Sequence, residues 1–209
     1  MSSNNLILRI SRSRENIIKI LKNHQSYDTS DYEDFSMHEV DAMYKNDQLD
    51  MIVNKKDNSR KTYVKYYTQP KPIRDKAILE YIDDLFNIEQ IMTKNDNLII
   101  IVFDKPNDSI INYIKHIYNH SGYFINIHHI DRLQFNILEH SLVPHMSILE
   151  KDEIGQLANK YNLKSLEQLP EISRFDAQAS AMSMRPGDVG CFERESETAL
   201  TYEYYRICV

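Results

Sequence analysis

The sequence predicts two domains, an α/β domain over residues 1–138 and a small α+β domain over residues 139–209. Three observations carry this. From Leu49 to Ile130 the apolar pattern reads strand, strand, helix, strand, helix, strand, the order expected of a sheet with helices packed against it. That pattern breaks between Leu138 and Pro144. Beyond the break come an amphipathic helix and, after Pro186–Gly187, two stretches able to pair as antiparallel strands.

Taken in order, Ser11 and Ser13 are candidate starts of a helix that carries Ile17, Ile18, Ile20 and Leu21 and ends near His24. The polar stretch from Gln25 to Phe35 reads as a loop. Ser36 and Glu39 have the spacing of a capping box, which opens a helix to about Lys45. Leu49–Val53 and Thr62–Thr68 read as strands of a hairpin, with the turn-rich segment 54–60 between them. After Pro70 and Pro72 a long helix is expected from Ile73 to Met92, with Ile78, Ile82, Leu85, Ile88 and Ile91 on one face. The apolar run from Asn97 to Phe103 suits a buried strand. Asn107 or Asp108 caps the next helix, Gly122 ends it, and Tyr123–Ile130 is a strand. In the second domain, Glu150–Tyr161 is a helix with Ile154, Leu157 and Ala158 inward, stopped by Asn162. Leu169–Pro170 closes a short turn, and Arg174–Met184 reads as a further helix. Asp188–Arg194 and Leu200–Cys208 are the antiparallel pair.

Composition narrows the function classes. With 42% apolar residues the chain can bury a core. No apolar run approaches the roughly 20 residues of a membrane span, and Met1 to Asn5 lack a signal peptide's layout, so a soluble, non-secreted protein with no membrane partner is expected. Cys191 and Cys208 lack zinc-ligand spacing and are expected to be free thiols, although their strands are neighbours and a cross-strand contact is conceivable. The net charge of −6 argues against an autonomous nucleic-acid-binding domain, because such affinity comes from neutralising phosphates.

The last 70 residues carry a set of ordered motifs. His140, Leu142, Val143 and Pro144 form His-x-Leu-Val-Pro, and Leu169, Pro170 and Ile172 form Leu-Pro-x-Ile. Arg174 and Asp176 form Arg-x-Asp, and Gly187 marks a turn. Arg194, Ser196, Glu197, Thr198, Tyr202, Tyr205, Arg206, Ile207 and Cys208 close the chain. In these motifs the sequence resembles the subunit common to the three eukaryotic nuclear RNA polymerases, the fifth-largest of the second enzyme, and the archaeal H subunit. Residues 1–138 are similar to the eukaryotic form in layout and length only; the archaeal form lacks this half. Several positions depart from the family pattern. His145 and Met146 stand where the family has Lys-His, Ala177 replaces a proline, and Ser183–Pro186 replace Gly-Leu-Lys-Arg. Gly190 lies in a strand that is Val-rich elsewhere in the family. These departures, with a composition rich in Ile, Asn and Lys that suggests an AT-rich genome, favour a copy encoded by a large DNA virus.

The resemblance implies a first domain with a restriction-endonuclease-like sheet that lacks its active site. It implies a non-catalytic subunit of DNA-dependent RNA polymerase, acting in transcription. The first domain would be part of the lower jaw near downstream double-stranded DNA, and the second would dock on the largest subunit among the other polymerase subunits. It also implies an assembly interface of His140, Leu142, Val143, Pro144, Arg174, Arg194, Tyr202, Tyr205 and Arg206. Arg194 and Arg206 either pair with acids of the partner or cap the module's own strands. Location would follow source: virion and host cytoplasm for a viral copy, nucleus for a cellular one.

No catalytic, cofactor or metal site is expected. Nuclease chemistry on such a sheet wants an acid on one strand and acid-x-Lys on the next, so that carboxylates hold Mg²⁺. Asp50 and Lys65 fit two of those places, but Tyr63 fills the third, so Asp50 and Lys65 read as ordinary strand-end residues. His116 and His120 share a helix face without a third ligand, and His128 and His129 face opposite sides of a strand. Ser196, Glu197 and Thr198 read as a turn, with no base to activate a nucleophile. Lys55, Lys56, Arg60 and Lys61 cluster at the hairpin tip and are candidate DNA-backbone contacts. Two other readings remain open at this point: a stand-alone nucleic-acid-processing enzyme on the nuclease-like sheet, and a regulatory adaptor for transcription factors.

Overall fold

The computed structural model describes residues 3–209. The chain divides into two compact units, residues 1–136 and 137–209. Both are mixed α/β, each built on its own sheet. No helix among the described residues is long and apolar enough to cross a membrane.

The first unit has a five-stranded sheet in the order β1-β2-β3-β4-β5. Its strands are β1 (Tyr27–Asp28), β2 (Met51–Lys55), β3 (Lys61–Tyr67), β4 (Asn97–Val102) and β5 (Phe124–His129). β1, β2 and β3 pair antiparallel, while β3, β4 and β5 run parallel. Parallel neighbours need crossovers, which the segments containing α3 (Asp75–Ile82) and α4 (Asp108–Ser121) supply. All six residues of β4 are buried, as expected of an inner parallel strand covered on both faces. Helices α1 (Ser3–Gln25) and α2 (Met37–Lys45) precede the hairpin. The Ser36/Glu39 capping box forms: Glu39 N–H donates to Ser36 Oγ, and Ser36 N–H donates to Glu39 Oε2 at 2.7 Å. Asn107 likewise accepts Ile110 N–H at 2.9 Å, and Gly122 closes α4 with φ of 77°.

Three expectations for this unit need correction. First, α1 does not begin at Ser11 or Ser13. Both serines are buried within it, and Ser13 Oγ donates to the Ile10 carbonyl at 2.8 Å and lies 3.2 Å from the Tyr66 hydroxyl. A serine that bonds back into its own helix need not cap it, and buried Ile7 and Ile10 carry the apolar face upstream. Second, the expected loop from Gln25 holds the short strand β1, where buried Tyr27 pairs with Lys55. Third, the long helix from Ile73 to Met92 is α-helical only to Ile82 and continues as a π-helix over Asp83–Ile88. The wider turn rotates the register, so Leu85 and Phe86 are buried while Ile88 is 72% exposed.

The second unit has a four-stranded sheet in the order β6-β8-β9-β7. The strands are β6 (His145–Ile148), β7 (Glu171–Ile172), β8 (Val189–Ser196) and β9 (Leu200–Cys208). β8 pairs antiparallel with both β6 and β9, and β7 runs parallel to β9. One face carries the core of Met146, Ile172, Ala179, Met182, Met184, Phe192 and Cys208. Helix α5 (Lys151–Lys160) buries Leu157, and the Tyr161 ring just after it meets Tyr205 with centroids 6.0 Å apart. The helix expected over Arg174–Met184 shrinks to α6 (Ala177–Ala181). Asp176 caps it, Arg174 N–H joins the Val209 carbonyl instead, and Ser183 takes φ of 54°. The conceivable Cys191–Cys208 contact does not form. Cys191 is opposite Tyr205, and Cys208 lies three residues further on, so the two thiols face opposite sides of the sheet. Burial pushes the Cys208 thiol up to about 12.

The departure at Gly190 has a packing cause. A Cβ placed there would lie 3.1–3.3 Å from Phe192, Met184 and Met146. Gly190→Val is therefore expected to destabilise the second unit by about 1–3 kcal/mol through overpacking. Urea unfolding of the full chain, followed by a probe in that unit, checks this, and Gly190→Ala should cost less.

Candidate assembly surface and nucleic-acid interface

β2 and β3 are in register with Met51 opposite Val64, which brings Asp50 to the face that carries Tyr63 and Lys65. Lys65 Nζ lies 2.5 Å from Asp50 Oδ2, Tyr63 Oη donates to the same oxygen at 3.3 Å, and Tyr66 N–H donates to Asp50 Oδ1 at 3.0 Å. The Lys65 ammonium lies 5.3 Å from the centroid of the Tyr81 ring. Asp50, just before β2, and Lys65, within β3, are thus joined in one cluster. Burial first, then the Asp50 charge, pushes the Tyr63 phenol upward, and burial pushes Tyr81 up to about 12. Chemically, the cluster is one carboxylate occupied by three donors, with a phenol where a second carboxylate would be needed to hold Mg²⁺. It ties the start of β2 to β3.

The histidines separate. His116 and His120 are exposed, with ring centroids 4.1 Å apart. His128 is buried on β5 opposite Ile101, and His129 Nε2 lies 2.9 Å from the Phe103 carbonyl. Among the described residues, no three His, Cys, Asp or Glu side chains are grouped to hold a metal ion.

Lys55, Lys56, Arg60 and Lys61 do come together at the tip of the β2–β3 hairpin. Lys55 N–H donates to the Arg60 carbonyl at 2.9 Å, and Asp57 accepts Ser59 N–H and Oγ at 2.9 and 2.6 Å to shape the turn. Lys56 and Lys61 are exposed, and Lys55 Nζ is 3.7 Å from Asp57. A depression of about 320 Å³ beside the tip is lined by Lys55 and Lys56 but also by Asp28 and Asp31, so the positive field is partly offset.

Residues 137–144 form a compact turn in the second unit. Val143 N–H donates to the His140 carbonyl at 2.9 Å, His140 Nδ1 accepts Leu142 N–H at 3.2 Å, and the Pro144 carbonyl accepts Gln178 Nε2 at 2.7 Å. This leaves the Leu142 side chain 86% exposed. Arg174 is buried, with its guanidinium 5.0 Å from the Phe175 ring centroid. Arg194 and Arg206 are half-buried and flank the Tyr204 ring at 4.4 and 5.4 Å. Both guanidinium groups thus pack on a ring of the unit's own sheet. Tyr202 is exposed, whereas Tyr205 Oη donates to Glu203 at 2.5 Å. Ser196 Oγ accepts Thr198 and Ala199 N–H at 3.3 Å, which makes the expected turn.

Sequence reasoning missed Arg14. It is buried on α1, donates to the Leu49 carbonyl at 2.8 Å, and lies 5.8 and 5.3 Å from the Tyr32 and Phe35 rings. Burial lowers its pKa from the ordinary arginine value. It lines a cavity of about 560 Å³ with Ser11, Ile18, Phe35 and Val40. The signal was an arginine set between Ile10 and Ile17 on an apolar helix face.

Comparison with known proteins places one unit directly. The family profile of RNA polymerase Rpb5, C-terminal domain, matches residues 135–208. DNA-directed RNA polymerase subunit Rpo5 of Thermococcus kodakarensis is 42% identical over 76 residues, which are 36% of this chain and 92% of that protein. The chain belongs to the RNA polymerase Rpb5/Rpo5 family. The Rpo5 of Methanococcoides burtonii is 36% identical over 76 residues and is covered to 96%. The DNA-directed RNA polymerases I, II, and III subunit RPABC1 of Caenorhabditis elegans is 40% identical over 77 residues, 36% of its length. The Rpb5 match coincides with the second unit and contains every candidate assembly residue, from His140 to Arg206. The hairpin cations and the Asp50 cluster lie outside it.

Proposed function

We propose that this chain is a non-catalytic subunit of DNA-directed RNA polymerase. Its second unit docks on the enzyme's largest subunit, and its first unit forms part of the lower jaw beside downstream double-stranded DNA. The observation that carries the reading is the coincidence of a folded unit, residues 137–209, with a match covering 92% of an archaeal polymerase subunit. Exposed Leu142 and Tyr202 supply apolar and aromatic contact area for docking. The first sheet is read as a nuclease-type scaffold without an active site, which the Asp50–Lys65 pair beside Tyr63 supports. Transcription would take place in the virion and host cytoplasm if the source is a large DNA virus, and in the nucleus if it is cellular.

Recovery of the tagged full-length chain from its native source at moderate salt tests the proposal. Two very large polymerase subunits should remain bound in amounts equal to the chain. Recovery of the chain alone would overturn it. A metal-dependent cleavage assay on the chain addresses the nuclease reading directly, and no cleavage is expected.

The hairpin cations make the jaw placement testable. Each DNA phosphate that a cation neutralises adds about 0.9 to the steepness with which log affinity falls against log salt. Reversing the charge of Lys55, Lys56, Arg60 and Lys61 in the assembled enzyme should weaken its hold on downstream DNA and flatten that slope. An unchanged slope would remove the tip from the DNA path.

A further inference from the structure

β9 is paired along its whole length on one side only. β8 opposes it from Val189 against Ile207 to Ser196 against Leu200, whereas β7 meets its other side only at Ile207 and Cys208. The backbone bonds fix which groups point which way. Ile207 N–H donates to the Pro170 carbonyl and Val209 N–H to the Ile172 carbonyl, both at 2.9 Å, while Cys208 N–H donates toward the β8 side, to the Asp188 carbonyl at 2.8 Å. Backbone groups of a strand alternate between its two edges. Glu203 and Tyr205, four and two residues before Ile207, therefore direct their N–H and C=O groups to the outer edge. No strand among the described residues pairs with them there. Thr201 follows the same alternation, but its N–H is used by the Ala199 carbonyl at 2.7 Å, so the open stretch begins at its carbonyl.

We propose that this edge receives an extended strand from another polymerase subunit, which adds a fifth strand to the sheet alongside β9. The inference rests on the subunit reading above and names how that surface is used. Strand addition supplies main-chain hydrogen bonds, with specificity from alternate side chains. The side chains here select the occupant. One face of the edge carries Glu203, with Glu193 opposite it and Glu195 next in line, offset by Lys160 at 3.6 Å from Glu203. The occupant would place Lys or Arg on that face. The other face presents Tyr202 and Tyr204, with Arg206 beyond, and suits an apolar or aromatic residue. A second copy of this chain fits poorly, because two-fold pairing centred on Glu203 sets that carboxylate against its twin.

Hydrogen exchange of the full-length chain, alone and in the assembled polymerase, tests this. The Glu203 and Tyr205 amides should exchange freely in the isolated chain and slow by about a hundredfold or more on assembly. Those of Tyr202 and Tyr204, which face β8, should be slow in both. Glu203→Pro removes an outward N–H without touching the β8 ladder, and should lower incorporation into polymerase by about tenfold while the sheet stays folded. Glu203→Gln, which keeps the N–H, should lose less. Free exchange at Glu203 and Tyr205 in assembled enzyme, or wild-type incorporation of Glu203→Pro, would overturn the inference while leaving the subunit reading intact. Concentration-dependent protection of the isolated chain would assign the edge to a second copy and overturn it too. Failure of the unaltered chain to enter polymerase would remove the subunit reading itself.

Discussion

Acidification from about pH 7.5 to about pH 4.5 is expected to cost the first unit about 3 kcal/mol of stability through one side chain, His128. His128 lies on the edge strand β5, is buried, and has an Nε2 with no hydrogen-bond partner. Burial, assisted by the nearby Arg132 charge, lowers its pKa from 6.5 to about 4. The sign follows from linkage. Above the ordinary histidine value, folded and unfolded chains both hold a neutral ring and stability is complete. As pH falls below that value the unfolded chain takes up a proton that the folded chain refuses, so stability falls until the folded pKa is reached and then levels off. Carboxylates and other histidines add their own pH dependence, so the difference from His128→Phe isolates this contribution. That variant should lose most of the slope between the two pKa values. It should also be no less stable at neutral pH, because it removes an unpaired buried polar atom. Denaturant unfolding of both chains across this range checks the effect, and parallel pH profiles would contradict it.

Asp50→Ala is expected to destabilise the first unit by a similar amount, about 3 kcal/mol, because it strips three donors of one acceptor. Lys65 would be left part-buried without its acid, and the Tyr66 N–H without its oxygen inside the sheet. Asp50→Asn keeps an acceptor for Tyr66 and should cost about 1 kcal/mol. Lys65→Met leaves Asp50 with its two neutral donors and buries a similar stem, so it should cost less than Asp50→Ala. Combining Asp50→Ala with Lys65→Met in a double-mutant cycle reads the pair directly. Full additivity would mean that the ammonium and carboxylate act independently despite their 2.5 Å separation.

What was legible in the sequence was the chemistry of local signals. The Ser36–Glu39 box, the Asn107 cap with Gly122, and the hairpin across Asn54–Arg60 each depend on a few adjacent residues, and each appears where those residues stand. The family motifs were legible because they form a dense ordered series from His140 to Cys208. What stayed hidden depends on partners distant in sequence. β1, β6 and β7 are two to four residues long and exist because β2, β8 and β9 pair with them. Ser13 signals a helix start until Tyr66, 53 residues away, accounts for its burial. The π-turn at Asp83–Ile88 leaves Leu85 buried but turns Ile88 outward, without any glycine or proline to announce it. Arg174 belongs to a family motif, and only the fold shows that its guanidinium lies inside the unit.

The central claim, that this chain is a stoichiometric polymerase subunit, is tested most directly by purifying transcription activity from the native source. The chain is then quantified by mass spectrometry against the two largest subunits across the active fractions. One copy per enzyme, constant through successive columns and salt, is the expected result. Active polymerase that contains none of this chain, or only a trace that washes away, would contradict the claim.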